Sequence, residues 1–98
     1  MPYLIETFDK PHSAALRQAV RDSHLDFLEE NKGLLLACGA KLEDDGTGGT
    51  GSVYIVDVET RAEAEDFVNR DPFAVAGLFE RTVITRWRKA YLDGKCYL

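Results

Sequence analysis

The chain contains the segments Leu34-Leu-Leu-Ala-Cys-Gly-Ala-Lys-Leu42 and Ser52-Val-Tyr-Ile-Val-Asp-Val58, two apolar runs separated by the polar residues 43–51. Their length and their content of aliphatic and β-branched residues predict two β-strands. The stretch between them holds four glycines in nine residues, which favours a flexible hairpin loop. The first run is apolar enough to predict a central position in the sheet.

Both runs are apolar at nearly every position, not at every second one. The positions that carry this pattern include Leu34, Leu36, Cys38, Val53, Ile55 and Val56. An antiparallel strand with one solvated face alternates between apolar and polar residues. The continuity seen here therefore indicates a sheet that is covered on both faces.

A strand and a helix precede this pair. Residues 3–8 are rich in aromatic and β-branched side chains, which predicts a strand. Residues 14–31 have helical periodicity, and either Pro11 or Ser13 is suited to open the helix. The predicted buried face comprises Leu16, Ala19, Val20, Ser23 and Phe27, with Leu28 at its border. Gly33 is suited to the left-handed position that ends a helix.

A second helix and a last strand follow the pair. Thr60-Arg-Ala-Glu63 matches a capping box and predicts a helix that runs to about residue 69. Asp71-Pro72 predicts a further helical turn, with the aspartate as its N-cap and Gly77 at its end. Residues 79–88 alternate in polarity and predict the final strand. Residues 91–98 add either a short edge strand or an arm.

The resulting order, β-α-β-β-α-β, is that of the ferredoxin-like fold. It predicts a single α+β domain over residues 1–98, in which two helices cover one face of a four-stranded antiparallel sheet. The opposite face needs another cover, and a second copy of the chain is the simplest one. We therefore predict a homodimer that packs sheet against sheet.

Composition and charge narrow the class of protein. The 98 residues include 17 acidic and 12 basic side chains, for a net charge of −5. This balance argues against nucleic acid as a partner, because phosphate binding needs clustered Lys and Arg. No apolar stretch reaches the roughly 20 residues of a membrane helix, and charges interrupt the apolar N-terminus at Glu6. We expect a cytoplasmic protein without membrane contact, whose thiols, Cys38 and Cys96, are reduced and at least partly buried.

His24 and Asp71 are the residues most suggestive of chemistry. On a helical projection His24 falls at the edge of the buried face, and Arg17 and Arg21 lie on the same border. An imidazole held by a carboxylate is a common acid/base arrangement, so the pair defines a candidate site if the fold brings it together. The alternatives are structural, with His24 an ordinary boundary histidine and Asp71 a helix cap only.

Other patterns carry less chemical information. Residues 46–51, Gly-Thr-Gly-Gly-Thr-Gly, match neither common phosphate-binding glycine motif and lead into a strand. We interpret them as a mobile hairpin loop that is able to act as a lid over a pocket. Ser52, directly after the loop, is a candidate hydrogen-bond donor to a ligand. His12 and His24 lack companions at metal-ligand spacing, and we predict neither a metal site nor a cofactor.

Together these features resemble the YciI-like (YCII-related) family. The resemblance covers residues 2–88 and is carried by Arg21-Asp-Ser-His24-Leu25, Gly39, Gly51-Ser52, Asp71-Pro72-Phe73 and Gly77-Leu78-Phe79. It implies ferredoxin-like domains that pair as dimeric α+β barrels, and a histidine–aspartate active site that corresponds to His24 and Asp71. One branch of the family resembles a dehydrochlorinase of a chlorinated hydroxyhydroquinone, and related barrels include muconolactone isomerase-like enzymes. The tail after residue 88 departs from the family pattern.

Two functions follow as hypotheses. The first is a cofactor-independent lyase or isomerase of a small, cyclic or aromatic metabolite, in which His24 is the general acid/base and Asp71 fixes its tautomer. Arg17 or Arg21 would stabilise an enolate or a carboxylate, and Ser52 would hydrogen-bond the ligand. The second is a non-catalytic dimeric domain that binds a small ligand or a protein partner through the same pocket.

Overall fold

The computed structural model describes residues 1–98 and shows a four-stranded antiparallel sheet with its helices on one face. The elements are, in chain order, β1 (Tyr3–Asp9), α1 (Ala14–Glu30), a 3₁₀ turn (Lys32–Leu34), β2 (Leu35–Lys41), β3 (Gly51–Val56), α2 (Arg61–Arg70), α3 (Pro72–Val75), β4 (Phe79–Arg86), β5 (Tyr91–Leu92) and β6 (Lys95–Cys96). The predicted α+β class and β-α-β-β-α-β order are confirmed, with α3 as a short extra turn after α2. None of these helices combines the length and the apolar composition that crossing a membrane requires.

The strand order in the sheet is β2-β3-β1-β4, and every neighbouring pair is antiparallel. The prediction that β2 is central is wrong, because β2 lies at the edge beside β3. Its apolar side chains project above and below the sheet rather than toward a neighbouring strand. Continuous hydrophobicity in a strand therefore indicates what covers its two faces and not its lateral position.

Side-chain alternation separates the two faces of the sheet. The inner face and the helices above it share one buried cluster, which includes Tyr3, Ile5, Tyr54, Val56, Phe27, Ala64, Phe67 and Val68. The opposite face, here called the open face, carries Leu4, Val53, Ile55 and Val83, which are half-buried or exposed in the protomer. The sheet is thus apolar on both sides, as predicted, and one chain covers only the inner side.

The buried face of α1 differs from the predicted one. Only His24 and Phe27 are buried along its 17 residues, and Leu16, Ala19 and Ser23 are exposed. The prediction is wrong for Leu16, Ala19 and Ser23, whereas Phe27 is buried as predicted and Val20 and Leu28 are half-buried. The observed stripe carries two large polar side chains, those of Arg17 and His24, where an ordinary amphipathic helix carries aliphatic ones.

The end of α1 also differs from the prediction, which assigned a left-handed conformation to Gly33. The C-cap is Asn31, with φ −112°, and its side-chain amide donates to the Phe27 carbonyl at 2.8 Å. This bond satisfies one of the last carbonyls of the helix, so no left-handed glycine is needed. Gly77 does end α3 in that conformation, with φ 77°, and Thr60 caps α2 by accepting from the Glu63 N–H at 3.2 Å.

The tail forms a separate hairpin of β5 and β6 and adds no edge strand to the main sheet. Asp93 and Gly94 connect the two strands, and their φ values are 52° and 78°. Positive φ at both central residues is what a two-residue type I′ turn requires, and Asp-Gly is a preferred pair for it. The sequence left two alternatives for the tail, an edge strand or an arm, and the structure shows an arm.

Candidate active site

The structure brings His24 and Asp71 into direct contact. His24 lies on the inner side of α1, and Asp71 lies between α2 and α3 as the N-cap of the latter. The His24 Nδ1 atom is 2.9 Å from Asp71 Oδ1 and 2.8 Å from Oδ2. The exposed fraction of the side chain is 9% for the histidine and 0% for the aspartate. The contact is thus a buried one between groups that are 47 residues apart in sequence.

Asp71 accepts hydrogen bonds from three separate groups. Besides His24, the Tyr54 hydroxyl donates to Oδ2 at 2.7 Å, and the Phe73 backbone N–H donates to Oδ1 at 2.8 Å. Both oxygens of the carboxyl thus act as hydrogen-bond acceptors, the role that a carboxylate fills. The cap role and the histidine-partner role are therefore filled by the same side chain at once.

This arrangement fixes the tautomer and the orientation of the imidazole. Since Asp71 only accepts, the His24 Nδ1 atom carries the proton, and Nε2 is the basic nitrogen of the neutral ring. Nε2 has no hydrogen-bond partner in the chain, and no buried side-chain nitrogen or oxygen lacks one, so Nε2 is open to its surroundings. The ring stacks on Phe73 at a centroid distance of 4.0 Å and meets the edge of Tyr54 at 6.5 Å. His24 is held on one side and free at the nitrogen that exchanges protons.

Arg17 lies beside this pair but is engaged with other partners. Its guanidinium donates from Nε and a terminal nitrogen to the Asp9 carboxylate, at 2.6 and 3.1 Å. The same terminal nitrogen donates to the Ser52 Oγ at 3.3 Å, and the group lies 4.6 Å above the Phe73 ring. Only 12% of the Arg17 side chain is exposed. These contacts fix Arg17 as part of the wall of the site.

Arg21 and Ser52 occupy different positions in the same site. Arg21 lies one helical turn after Arg17, is exposed, and has no salt bridge to a carboxylate of the chain. Ser52 is 2% exposed, and its backbone N–H donates to the Thr7 hydroxyl at 2.9 Å. The Ser52 Oγ accepts from Arg17 and lies near the Tyr54 hydroxyl.

A cavity of about 220 Å³ unites these residues between α1 and the edge of the sheet. Its wall includes all the predicted site residues except Asp71, which is fully buried behind His24. Leu25, Leu28 and Phe73 provide apolar surface, while the charged groups come from Arg17 and Arg21. Convergent polar groups in an otherwise apolar concavity are typical of a small-molecule site.

Sequence reasoning missed two residues of this site, Tyr54 and Cys38. Burial, followed by the charge of Asp71 and the hydrogen bond to it, raises the pKa of Tyr54, so the phenol stays protonated as a donor. Tyr54 faces the helices because it alternates with Val53 and Ile55 along β3, a signal that was present in the sequence. No local feature of the sequence indicated the hydrogen bond from Tyr54 to Asp71.

Cys38 of β2 lies opposite Tyr54 on the adjacent strand β3, and it lines the cavity at His24. The prediction of buried or partly buried thiols is wrong for Cys96, which is exposed, whereas Cys38 is solvent-accessible in the protomer but partly covered where it lines the cavity. Even so, burial and then the nearby charge of Asp71 raise the pKa of Cys38 from 9.0 to about 11. The thiol lies at the cavity wall, where one side is exposed to solvent and the others are covered by protein, so it is both accessible and desolvated. At neutral pH it is a neutral thiol rather than a nucleophilic thiolate.

The glycine-rich loop packs against the site as well. A Cβ atom added at Gly49 would lie 2.7 Å from the Arg17 Cδ, so the loop backbone approaches that side chain closely. The loop is internally hydrogen-bonded, since the hydroxyl and N–H of Thr47 donate to Asp45 at 2.6 and 2.9 Å. These bonds lower the pKa of the Asp45 carboxyl. The loop forms the rim of the site on the Arg17 side.

Comparison with known proteins identifies the family. Residues 1–88 match the YCII-related domain, and the chain therefore belongs to the YCII-related family. Protein YciI of Escherichia coli O6:H1 is 32% identical to it over 98 residues, which cover 93% of this chain and 100% of that protein. An uncharacterised protein of Haemophilus influenzae is 30% identical over the same shares of the two chains.

Two solved structures resemble the fold to different degrees. One is 5-chloro-2-hydroxyhydroquinone dehydrochlorinase from Burkholderia phenoliruptrix AC1100, in complex with 2,5-dihydroxybenzoquinone. It is 38% identical, with a TM-score of 0.82 over 90% of this chain and 94% of that one. The other, described as an antibiotic biosynthesis monooxygenase from Bacteroides thetaiotaomicron VPI-5482, is 12% identical, with a TM-score of 0.58 over 97% and 93% of the two chains. The second likeness concerns the fold alone.

Proposed function

We propose that this protein is an enzyme that processes a small molecule, a cofactor-independent lyase or isomerase with His24 as its general acid/base. The observation that carries the proposal is the state of His24. Its Nδ1 atom is bound by a buried, saturated carboxylate, and its Nε2 atom is unbonded beside a cavity. A neutral imidazole held in this way accepts a proton at Nε2, and the resulting imidazolium is stabilised by Asp71.

The comparison with a dehydrochlorinase supports this class of reaction. A protein that is 38% identical over most of its length acts on a chlorinated hydroxyhydroquinone, and its structure contains a dihydroxybenzoquinone. Elimination of HCl from such a ring is balanced without an external oxidant, since a proton and a chloride ion leave together. It needs a base that removes a hydroxyl proton, an acid that returns this proton to the ring carbon that carries the chlorine, and a site that tolerates a developing negative charge; loss of a second hydroxyl proton to the regenerated base then expels chloride. His24 Nε2 supplies the first two, and an arginine supplies the third.

The test is turnover of 5-chloro-2-hydroxyhydroquinone by the wild type and by His24→Gln. Glutamine is a neutral polar side chain of similar size, and its amide neither accepts nor releases a proton near neutral pH; circular dichroism checks that the variant keeps its fold. We expect kcat to fall by about 10²- to 10⁴-fold, the usual contribution of general acid–base catalysis. Chloride release, measured under saturating substrate, reports the rate.

His12→Gln is the matched control, because it changes the other histidine, which lies outside the His24 cavity. Undiminished turnover in His24→Gln would rule out the proposed role. If the wild type binds the compound without releasing chloride, the non-catalytic binding domain becomes the better description of the protein.

We further propose that the protein acts as a homodimer joined through the open face. On this face the Val83 side chain is 38% exposed, and Leu4, Val53 and Ile55 are only half-buried in the protomer. A one-layer sheet that is apolar on both sides is stabilised when a second copy buries the remaining side.

The Val83→Lys substitution places a charge on that face, in the edge strand β4, at a position that the single chain does not bury. We expect analytical ultracentrifugation to show a dimer for the wild type and a monomer for this variant, with unchanged helix and strand content by circular dichroism. Val75→Lys is the control, because Val75 is 75% exposed on α3, away from the sheet. A variant Val83→Lys that still sediments as a dimer would place the interface elsewhere.

A further inference from the structure

A second cavity continues the His24 cavity along α1 toward the glycine-rich loop. Its volume is about 470 Å³, against about 220 Å³ for the cavity at His24. The two share Arg17, Arg21 and Ala40 in their walls, so they form one groove. Gln18 on one side and Gly48 with Gly49 on the other enclose the outer part. The whole groove has the size of an ordinary small-molecule site, and a single aromatic ring at His24 leaves most of it empty.

The charge in this groove is positive and comes from one side chain. No aspartate or glutamate lines either cavity, although the chain as a whole has a net charge of −5. The charge of Arg17 is neutralised by Asp9, which accepts from Nε and one terminal nitrogen of the guanidinium. Arg21 has no such partner, is exposed, and borders both cavities. It is the guanidinium in the groove whose donors are available to a ligand.

We infer that Arg21 determines specificity for a carboxylate, and that the substrate is a ring that carries one. The inference rests on the proposed function in so far as the ring occupies the His24 cavity. Arg21 lies at the junction of the two cavities, so it reaches a carboxylate on the side of the ring that faces the loop. A single planar guanidinium matches the two oxygens of a carboxylate, whereas a phosphate dianion is better served by several cations.

The same positions separate the roles of the two arginines. Arg17 donates to Ser52 and stacks on Phe73, which in turn stacks on His24, so it holds the site in shape. Arg21 touches none of these groups through a hydrogen bond and is available to the substrate. Removal of Arg21 therefore alters which ligand binds without altering how His24 is held.

The experiment compares the binding of hydroquinone and of 2,5-dihydroxybenzoate, which differ by one carboxylate. Titrations followed by NMR give both dissociation constants for the wild type, Arg21→Gln and Arg88→Gln. We expect the wild type to bind the carboxylate at least about 10-fold more tightly, as one charge-assisted pair permits. Arg21→Gln should lose this preference and bind hydroquinone within about twofold of the wild type. Arg88→Gln removes the same charge outside both cavities and should keep the preference.

The outcomes separate this inference from the proposed function. A wild type without preference for the carboxylate, failure of both compounds to bind, or a preference that survives Arg21→Gln would each overturn the role of Arg21. The His24→Gln variant should retain the carboxylate preference, because the hydrogen bonds of His24 go to Asp71 and none joins it to Arg21. If that variant also retains full turnover while the preference depends on Arg21, the subsite stands and the proposed acid/base chemistry does not.

Discussion

The Asp71→Asn substitution is expected to lower kcat by about 10³- to 10⁴-fold in a protein that still folds. Asparagine keeps one acceptor oxygen and replaces the other by an NH₂ group, which only donates. Three donors, from His24, Tyr54 and the Phe73 backbone, then compete for one oxygen. When the NH₂ group faces His24, it donates to Nδ1, and the ring proton moves to Nε2. The nitrogen that faces the cavity then cannot accept a proton from a substrate.

The same substitution should also reduce stability, because one buried donor loses its acceptor at a cost of about 1–3 kcal/mol. Urea unfolding measures this loss, and the ¹⁵N chemical shifts of the His24 ring report the tautomer. Asp66→Asn is the matched control, since Asp66 is exposed and pairs only with Arg70. A folded Asp71→Asn protein that keeps more than about a tenth of the wild-type kcat would reduce Asp71 to the role of a helix cap.

The Gly51→Ala substitution is expected to destabilise the protein by about 3 kcal/mol or more, which is at the upper end for overpacking. A Cβ atom at this position would lie 2.0 Å from the Thr7 carbonyl oxygen and 2.6 Å from the Lys41 Cε. The first contact involves the backbone of β1, which is paired on both sides and has no room to move. Relief of this steric clash therefore requires that the start of β3 separate from the neighbouring strands. Ser52, the next residue, would move with it.

Gly33→Ala provides the comparison for this result. No atom lies within 4 Å of a Cβ built at Gly33, and its φ is outside the left-handed region. We expect a change of less than about 0.5 kcal/mol, as for most surface substitutions. Urea midpoints that coincide for the two variants would show that the β1–β3 contact at Gly51 yields more readily than the structure indicates.

The order of elements was predictable because it depends on local patterns. Apolar runs, the Thr60 capping box and the Asp71-Pro72 turn each act over a few residues, and all three are present in the structure. Lateral strand order is not local. The prediction for β2 is wrong because an apolar strand at the edge of a sheet that is apolar on both faces has the same composition as a central one.

The buried face of α1 was unpredictable for a different reason. Periodicity assigns burial to apolar residues, and in this helix Arg17 and His24 occupy part of the buried stripe. The predicted buried face of α1 is therefore rotated by about one residue relative to the observed one. The polar residues that break the pattern are those of the candidate site, and departures of this kind are typical of functional or strained positions.

The two central residues of the candidate site were predictable from the sequence, but the contacts of the side chains around them were not. His24 and Asp71 are noticeable in sequence because of their chemistry and the family resemblance. Tyr54 was treated as an ordinary strand residue, and Arg17 was expected to face a ligand rather than Asp9. Hydrogen-bond partners between distant segments depend on the packing of strands and helices, which no single stretch of sequence encodes.

The polar inner stripe of α1 places activity and stability in opposition. The helix holds itself to the sheet with few buried apolar side chains, because the positions that would bind it most firmly carry the groups of the site. Burial of one aliphatic side chain contributes about 1.5–3 kcal/mol, so leucines along this stripe would anchor α1 more firmly. A chain selected for robustness alone would drift toward such residues. Arginine and histidine occupy this stripe instead, and if the proposed site is correct, α1 is the element in which stabilising substitutions are expected to lower activity.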